Sequence, residues 1–265
     1  MIGALMVGLT ACHSAQDLNR QGYEKAKDGK FDEAVALYQK ALEKDPDLVA
    51  AHNNLGAVYL QNNKLDLAQA EFETALRLEP ERSETLSNLG MLLLQKQDYA
   101  GAKLRFYEAT IHNSQNASAF NGLGEVAFHD QKFKEAADYF QNAYRLNTNL
   151  TNALSNLAAA LSEQRDYEKA LKVYMRLLKL QPQNGKVLLN AATCAVLVGN
   201  HDVARNLIQR GRRQKVPGIE EVARRLGPAR PLPPSAPEAS PAPAPLPAST
   251  APASPQTPKQ GAPAK

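Results

Sequence analysis

Asparagine is the residue type whose spacing along this chain could do chemistry. One series of asparagines is spaced by a single fixed interval or by a multiple of it, and it consists of Asn54, Asn88, Asn156 and Asn190. A second series stands one residue earlier in the same repeating pattern and consists of Asn19, Asn53 and Asn121. A carboxamide offers both a donor and an acceptor, so one side chain can pair with the N–H and the C=O of a peptide whatever its sequence. The spacing therefore predicts a surface that holds the backbone of a bound peptide. The alternative is that these amides bond to solvent or to a neighbouring part of the same chain.

No residues have the spacing that catalysis requires. The histidines are not placed at intervals typical of metal ligands, and no glycine-rich loop could cradle a phosphate. The five histidines are His13, His52, His112, His129 and His201. We predict no catalytic residue, no bound metal, no cofactor and no small-molecule substrate, and hence a protein that is not an enzyme. His52 is expected to be a packing residue, because leucine or phenylalanine follows it at each further step of the asparagine interval.

The first eleven residues, MIGALMVGLTA, form an apolar run. The run is too short to span a membrane, because a spanning helix needs about 18 apolar residues or more. It ends in Leu9-Thr10-Ala11-Cys12, a tetrad that resembles the bacterial lipobox. The resemblance implies that residues 1–11 are a lipoprotein signal and that Cys12 is acylated after cleavage. The alternative is an ordinary N-terminus with a chance cysteine. No Lys or Arg precedes the run, and we expect the true start codon to lie upstream.

The elements that must position the asparagines repeat with the same interval, about 34 residues, as far as about residue 217. A glycine or alanine column holds Gly22, Gly56, Gly90, Gly124, Ala158 and Ala192. An alanine column holds Ala34, Ala68, Ala102, Ala136, Ala170 and Ala204. Four residues further on stand Tyr38, Phe72, Phe106, Phe140, Tyr174 and Ile208. Because residues four apart lie on one face of a helix, we predict that this face is buried.

Each repeat is predicted to be a helix, a polar turn and a second helix. The turn of the first repeat is Asp28-Gly29-Lys30, and equivalent polar residues recur in the other five. Pro46, Pro80 and Pro182 share one column and are expected to end the second helix, since proline cannot continue the hydrogen-bond ladder.

This pattern resembles the tetratricopeptide repeat family over residues 15 to about 217. The resemblance implies an all-α fold, a right-handed superhelical solenoid of six helix-turn-helix repeats within residues 12–217. Their ranges are about 15–48, 49–82, 83–116, 117–150, 151–184 and 185–217. A short helix over 218–227 is predicted to cap the last repeat through Ile219, Val222, Ala223 and Leu226, which have amphipathic spacing. In this family the first helices line the concave surface, which implies that the seven asparagines lie in a peptide-binding groove.

The C-terminal end differs from the repeats in composition and charge. Residues 228–265 are rich in Pro and Ala and are predicted to be a disordered tail that serves as a tether. Residues 205–230 carry eight Lys or Arg and two Glu, a formal charge of about +6, whereas the whole chain carries +4. The basic end is either a solvated helix face or a patch for an anionic partner such as a phospholipid surface. The net charge alone does not indicate nucleic acid.

These observations together predict a lipid-anchored adaptor that binds a segment of a partner protein. Its expected location is the bacterial cell envelope, at the periplasmic face of the outer membrane, with the acylated Cys12 as the membrane contact. The chain resembles repeat lipoproteins that assist the assembly of surface pili, both the tight-adherence type and the pilotins of type IV pili. Two alternatives stay open. One is a soluble cytoplasmic scaffold whose basic end touches membrane or nucleic acid, and the other is a regulatory subunit of a cell-wall enzyme.

Overall fold

The computed structural model of the protein describes residues 14–227. The predicted signal, Cys12 and the Pro/Ala-rich tail lie outside the described residues. Over residues 14–227 every regular element is a helix: α1 Ala15–Lys27, α2 Phe31–Lys44, α3 Val49–Gln61, α4 Leu65–Leu78, α5 Ser83–Gln95, α6 Tyr99–His112, α7 Ala117–His129, α8 Phe133–Leu146, α9 Thr151–Glu163, α10 Tyr167–Leu180, α11 Gly185–Leu197, α12 His201–Arg213 and α13 Ile219–Leu226. The all-α helical-repeat superhelix predicted from the sequence is confirmed.

The helices of each repeat are joined by a turn whose middle residue is left-handed. These residues are Gly29, Asn63, Gln97, Gln131, Arg165 and Gly199, with φ between 58° and 76°. A left-handed residue reverses the chain after the first helix and lets the second helix pack back against it. Several helices begin at a side-chain cap, as at Ser14, whose hydroxyl accepts from the amide of Asp17 in a reciprocal capping box.

The core of each of the first four repeats is an aromatic ring that lies on a glycine, while the fifth and sixth repeats have Ala158 and Ala192 in the glycine column. A β-carbon added to Gly56 would lie 2.7 Å from Cε1 of Phe72, and one added to Gly124 would lie 2.5 Å from Cε1 of Phe140. The glycine column of the first helix is therefore the space that the aromatic column of the second helix fills. Alanines of the adjoining column are fully buried as well, since Ala68 and Ala136 have no exposed surface.

The short helix α13 covers the end of the last repeat. Ile219 and Val222 are buried, and α13 contacts both α11 and α12. A β-carbon on Gly211 would lie 2.6 Å from Cγ1 of Ile219. Gly211 stands where the first four repeats have Ala41, Ala75, Ala109 and Ala143 and the fifth has Leu177, so the absence of a side chain there makes room for the capping isoleucine.

The direction of curvature follows from which helices touch. The first helices of neighbouring repeats contact each other directly from α1 to α9, in the pairs α1 with α3, α3 with α5, α5 with α7 and α7 with α9. Among the described helices, no pair of successive second helices makes contacts of comparable extent. The first helices therefore lie on the inner side of the curve, and the second helices form its outer side.

Candidate functional site

The predicted asparagines lie at the seams between repeats and bond to one another. Asn54 donates from Nδ2 to Oδ1 of Asn19 at 3.0 Å, and Asn88 donates to Asn53 at 2.9 Å. Asn156 donates to Asn121 at 3.5 Å, the limit of a hydrogen bond. In each pair the donor belongs to the first series of asparagines, and the acceptor belongs to the second series and lies in the preceding repeat. This is the second of the two interpretations left open by the sequence, bonding to the adjacent repeat, and it leaves the peptide-binding role a prediction.

The two members differ in burial in the pairs Asn53 with Asn88 and Asn121 with Asn156, whereas Asn19 and Asn54 are both half-buried. Asn53 is 7% exposed and Asn121 is 3% exposed, whereas Asn54, Asn88 and Asn156 are half-buried and lie closer to solvent. Each of the two buried amides accepts a hydrogen bond from the outer amide of the next repeat. An outer amide whose Nδ2 is engaged within the protein still has an oxygen and a second N–H for a ligand.

The seam between the third and fourth repeats lacks an asparagine pair and uses different residues. Gly122 occupies the asparagine column there, and a β-carbon on it would lie 2.2 Å from Cζ of Phe106, so the ring fills the place of a side chain. Asn116, the N-cap of α7, donates instead to the hydroxyls of Ser83 at 2.7 Å and Ser87 at 2.8 Å. These three residues were not predicted from the sequence. The one available signal was that Ser87 stands in the same column as Asn19, Asn53 and Asn121.

The last predicted residue, Asn190, has a different partner. Its Nδ2 lies 3.4 Å from the hydroxyl of Tyr174 in the preceding repeat. At the other seams the acceptor is the second-series residue of the preceding repeat, and in the fifth repeat that position holds Ser155.

Cys194 lies nearby and is buried and free, with Sγ 3.7 Å from the hydroxyl of Ser162. Burial raises the pKa of the Cys194 thiol, which keeps it neutral and agrees with the packing role expected for it.

A polar cavity of about 570 Å³ opens on the inner side of the first four repeats. Three of the predicted residues, Asn53, Asn54 and Asn88, line it together. Its other walls are formed by Tyr23, Glu84, Ser87, Asn113, Gln115, Asn116, Ala117, Ser118, Leu146 and Asn147. Asn19 joins this group through Asn54, while Asn121, Asn156 and Asn190 do not line the cavity. The structure thus divides the predicted site into one assembled cluster and three residues outside it.

A carboxylate, Glu125, lies one turn beyond Asn121 on α7. Asn121 donates to Oε1 of Glu125 at 2.6 Å. Burial raises the pKa of Glu125 above its usual value, and the hydrogen bond from Asn121 opposes that rise. The residue is therefore harder to ionise in the folded chain. Sequence reasoning missed it because its column otherwise holds Tyr23, Ala57, Met91, Ala159 and Thr193, which share no chemistry.

His52, expected to be a packing residue, makes polar contacts that join elements. Its Nδ1 lies 2.6 Å from the carboxylate of Glu71 on α4, and its Nε2 lies 2.9 Å from the carbonyl oxygen of Pro46. The ring connects α3 to α4 and to the loop before α3.

Residues 14–227 contain no cluster of three or more His, Cys, Asp or Glu side chains that could hold a metal ion. Among the helices over the same residues, none has the length and apolarity that crossing a bilayer requires.

Much of the charge at the basic end is engaged within the protein. Arg212 donates to both carboxylate oxygens of Glu220, at 2.9 and 2.8 Å, and so ties α12 to α13. Arg205 pairs with Asp202 at 2.7 Å, and Arg224 and Arg225 both pair with Glu221. Exposed ion pairs of this kind contribute about 0–1 kcal/mol each, so their main effect is to reduce the net charge of this face.

Family models of tetratricopeptide repeats match the described part of the chain almost throughout. They cover residues 22–63, 58–116, 115–183 and 161–224. The chain belongs to the tetratricopeptide repeat family. Members of this family are typically non-catalytic, and the chain is a scaffold for protein–protein interaction. Among curated proteins, none matches the sequence.

Several solved structures of tetratricopeptide repeat proteins are similar to this chain. PilF of Pseudomonas aeruginosa is 26% identical, with a TM-score of 0.69, and the alignment covers 79% of this chain and 95% of PilF. PilW, described as a widely conserved type IV pilus biogenesis factor, is 18% identical, with a TM-score of 0.69 and coverage of 79% and 98%. YrrB, described as having an unusual peptide-binding site, is 22% identical, with a TM-score of 0.58 and coverage of 71% and 97%. The chain resembles pilus-assembly proteins of this family.

Proposed function

We propose that this chain is a lipid-anchored adaptor of the bacterial cell envelope, which holds a segment of a partner protein in its inner cavity and takes part in assembling a pilus or a secretion system. The observation that carries the proposal is the cavity of about 570 Å³ whose walls bring Asn53, Asn54 and Asn88 together. The likeness to PilF, at 26% identity over nearly all of that protein, supports a role in pilus assembly.

The chemistry of the cavity favours the backbone of a peptide over an apolar side chain. Its walls are mostly amides and hydroxyls, which can pair with peptide N–H and C=O groups without regard to sequence. A bound backbone would exchange its hydrogen bonds to water for hydrogen bonds to the outer amides Asn54 and Asn88, while the buried Asn53 keeps Asn88 in position. Each such exchange contributes about 0.5–1.5 kcal/mol, so affinity would build up over several pairings.

Photo-crosslinking tests whether the cavity binds a partner. A photoreactive residue in place of Tyr23, which is exposed and lines the cavity, should crosslink the partner in the cell, where mass spectrometry can identify it. The Asn88→Ala variant should lower the yield severalfold. Asn156→Ala is the matched control, because it loses an equivalent bond to the preceding repeat but lies outside the cavity. No crosslink from Tyr23, or an equal loss in both variants, would contradict peptide binding by this cavity.

The membrane anchor is a separate part of the proposal, with its own test. It rests on the Leu9-Thr10-Ala11-Cys12 tetrad after an apolar run. Cys12→Ser should move the protein from the membrane fraction to the soluble fraction of the envelope. Intact mass should show the added acyl groups on the wild type alone. A wild-type protein that is unmodified and soluble, when expressed from its corrected upstream start, would remove the anchor from the proposal.

A further inference from the structure

Each second helix has one row of residues that faces solvent on the side opposite its buried face. The same positions can be compared in all six repeats. On α6 it consists of Ala100, Leu104, Tyr107 and Ile111, which lie opposite the buried Ala102, Phe106 and Ala109. We call this row the outer ridge of α6. The equivalent positions of the other five second helices are exposed too. The ridge is therefore a solvent-facing surface throughout the solenoid.

Only the third repeat fills all four of these positions with apolar residues. The equivalent residues on α2 and α4 are Asp32, Ala36, Gln39, Glu43 and Asp66, Ala70, Glu73, Arg77. On α8, α10 and α12 they are Lys134, Asp138, Gln141, Arg145, then Glu168, Lys172, Met175, Lys179, then Asp202, Asn206, Gln209, Arg213. The other five ridges are thus polar apart from two alanines and a methionine. Since the repeats share one backbone geometry, the apolar ridge of α6 is not a requirement of the fold.

The large side chains of this ridge are well exposed. Leu104 is 53%, Tyr107 is 56% and Ile111 is 64% exposed. Three side chains of this kind leave on the order of 300 Å² of surface in contact with water, given that large side chains bury roughly 150–250 Å² each. A contiguous patch of this size lies within the range of the largest apolar patch on a typical monomer, about 300–600 Å², and such patches are often functional.

The spacing of the ridge indicates that its partner is a helix. Ala100, Leu104, Tyr107 and Ile111 are separated by four, three and four residues. That is the spacing of a coiled-coil seam, in which side chains of one helix enter the gaps between side chains of another. An extended strand has a period of two and would meet only part of such a ridge.

We propose that the outer ridge of α6 binds the same ridge of a second copy of this chain, antiparallel, about a two-fold axis. The ridge is self-complementary when reversed. Ala100 then lies opposite Ile111 of the partner subunit, and Leu104 lies opposite Tyr107 of the partner subunit. The smallest residue meets a bulky residue at each end, so the four layers fill evenly. In the parallel arrangement, alanine would meet alanine and leave a gap beside paired tyrosines.

Charges beside the ridge are compatible with a second copy. Arg105 pairs with Glu108 in the same helix at 2.8 Å, so neither brings an uncompensated charge. Lys103 would be displaced from its symmetry mate by five residues, which is about 7.5 Å along the helix axis at 1.5 Å per residue. The two Lys103 side chains therefore do not face each other directly, whereas Arg105 lies one residue along the axis from its symmetry mate and is compensated by Glu108. The three flanking charges sum to +1 per copy, too little for strong repulsion.

The buried area sets the strength of the association. Two ridges of about 300 Å² bury less than the roughly 1,200 Å² typical of stable complexes, even with a rim of flanking contacts. The dimer is therefore transient, with a dissociation constant between about 1 µM and 1 mM. Because the ridge lies on the outer side, both inner cavities stay open, and the dimer presents two of them. The contact between the ridges is therefore independent of what the cavity binds.

Sedimentation equilibrium of the full chain tests the proposal. The Cys12→Ser protein, used to keep every sample free of lipid, should change from monomer to dimer between about 1 µM and 1 mM. Leu104→Asp/Tyr107→Gln/Ile111→Arg gives α6 the residues of α8 and should raise the dissociation constant at least about tenfold. The matched control, Ala36→Asp/Glu43→Arg on α2, should dimerise like the parent. A parent that is monomeric at 1 mM, or a ridge variant that dimerises normally, would overturn the proposal.

A disulfide experiment tests the antiparallel register without depending on the triple variant. In the Cys12→Ser background, Ala100→Cys and Ile111→Cys proteins should form a mixed disulfide when combined and oxidised. Each alone should form none, because like positions would lie eleven residues apart along the axis, far beyond the roughly 7 Å limit between bridged Cα atoms. Disulfides of each variant with itself, without the mixed product, would contradict this arrangement.

Discussion

On the inner face of the second repeat, the amide of Asn53 is buried and hydrogen-bonded, whereas on the outer ridge of the third repeat Leu104 and Ile111 are more than half exposed. Both regions depart from ordinary burial, in opposite directions. A buried amide is tolerated only where its hydrogen bonds are satisfied, so its neighbours are constrained. An exposed leucine has no such requirement, so replacing it changes the stability of the fold very little. On the inner face the proposed binding role is therefore tied to stability, while the proposed contact of the outer ridge has little structural consequence.

The largest expected effect breaks the inner face at its irregular seam. Gly122→Asn would make the asparagine column continuous from the second to the sixth repeat, but its β-carbon would lie 2.2 Å from Cζ of Phe106. We expect the free energy of unfolding to fall by about 1–3 kcal/mol, the usual range for overpacking a core. Chemical denaturation measures it, and the reverse change Asn156→Gly, in the same column, bounds the helix propensity that Gly122→Asn gains, since it loses that propensity together with the bond to Asn121. An unchanged midpoint for Gly122→Asn would mean that the ring moves freely and the seam is not constrained.

A somewhat smaller effect is expected for the buried partner of an asparagine pair. Asn53→Ala removes the acceptor of Asn88 at a site that is 7% exposed. We expect a loss of about 1–2 kcal/mol, because the substitution removes one hydrogen bond and leaves a void where the buried carboxamide of Asn53 was packed. The better helix propensity of alanine offsets about 0.7 kcal/mol of it. Stability equal to or above that of the wild type, measured by thermal unfolding, would show that the pair holds nothing together.

The pH dependence of stability tests the electrostatics of the inner face through Glu125. Because burial raises its folded-state pKa, the contribution of neutral Glu125 is fully present below the unfolded value, near 4.5, and is lost as the pH rises through the folded pKa. Glu125→Gln stays neutral at every pH. The variant should therefore gain stability relative to the wild type from pH 4 to pH 7, by less than about 1 kcal/mol for a half-buried group. A difference that is constant with pH would contradict the raised pKa.

Much of the fold could be predicted from the sequence because a single repeat interval sets both faces of every helix. Gly56 belongs to the glycine column and Phe72 to the aromatic column, and their contact follows from helix geometry alone. The asparagine pairs could not be predicted in the same way. Asn54 meets Asn19 across 35 residues, one more than the repeat, and that offset depends on the rotation between repeats. Asn116 was missed because it caps a helix outside the asparagine columns.

The smallest effect should come from the outer ridge, and it sharpens the contrast with Asn53. Tyr107→Gln gives α6 the residue that α8 has at Gln141 and removes a large side chain that is 56% exposed. The folded monomer loses few contacts there, so we expect the free energy of unfolding to change by no more than about 0.5 kcal/mol, as for other surface substitutions. Unfolding should be measured at about 1 µM protein or below, where association makes no contribution. Tyr38→Phe serves as the comparison with a buried tyrosine, because Tyr38 lies in the core and burial raises its pKa to about 12. A loss above about 1 kcal/mol for Tyr107→Gln in dilute monomer would mean that the apolar ridge supports the fold itself, since typical surface changes stay well below that value, and the distinction between a structural inner face and an interaction-bearing outer ridge would fail at this repeat.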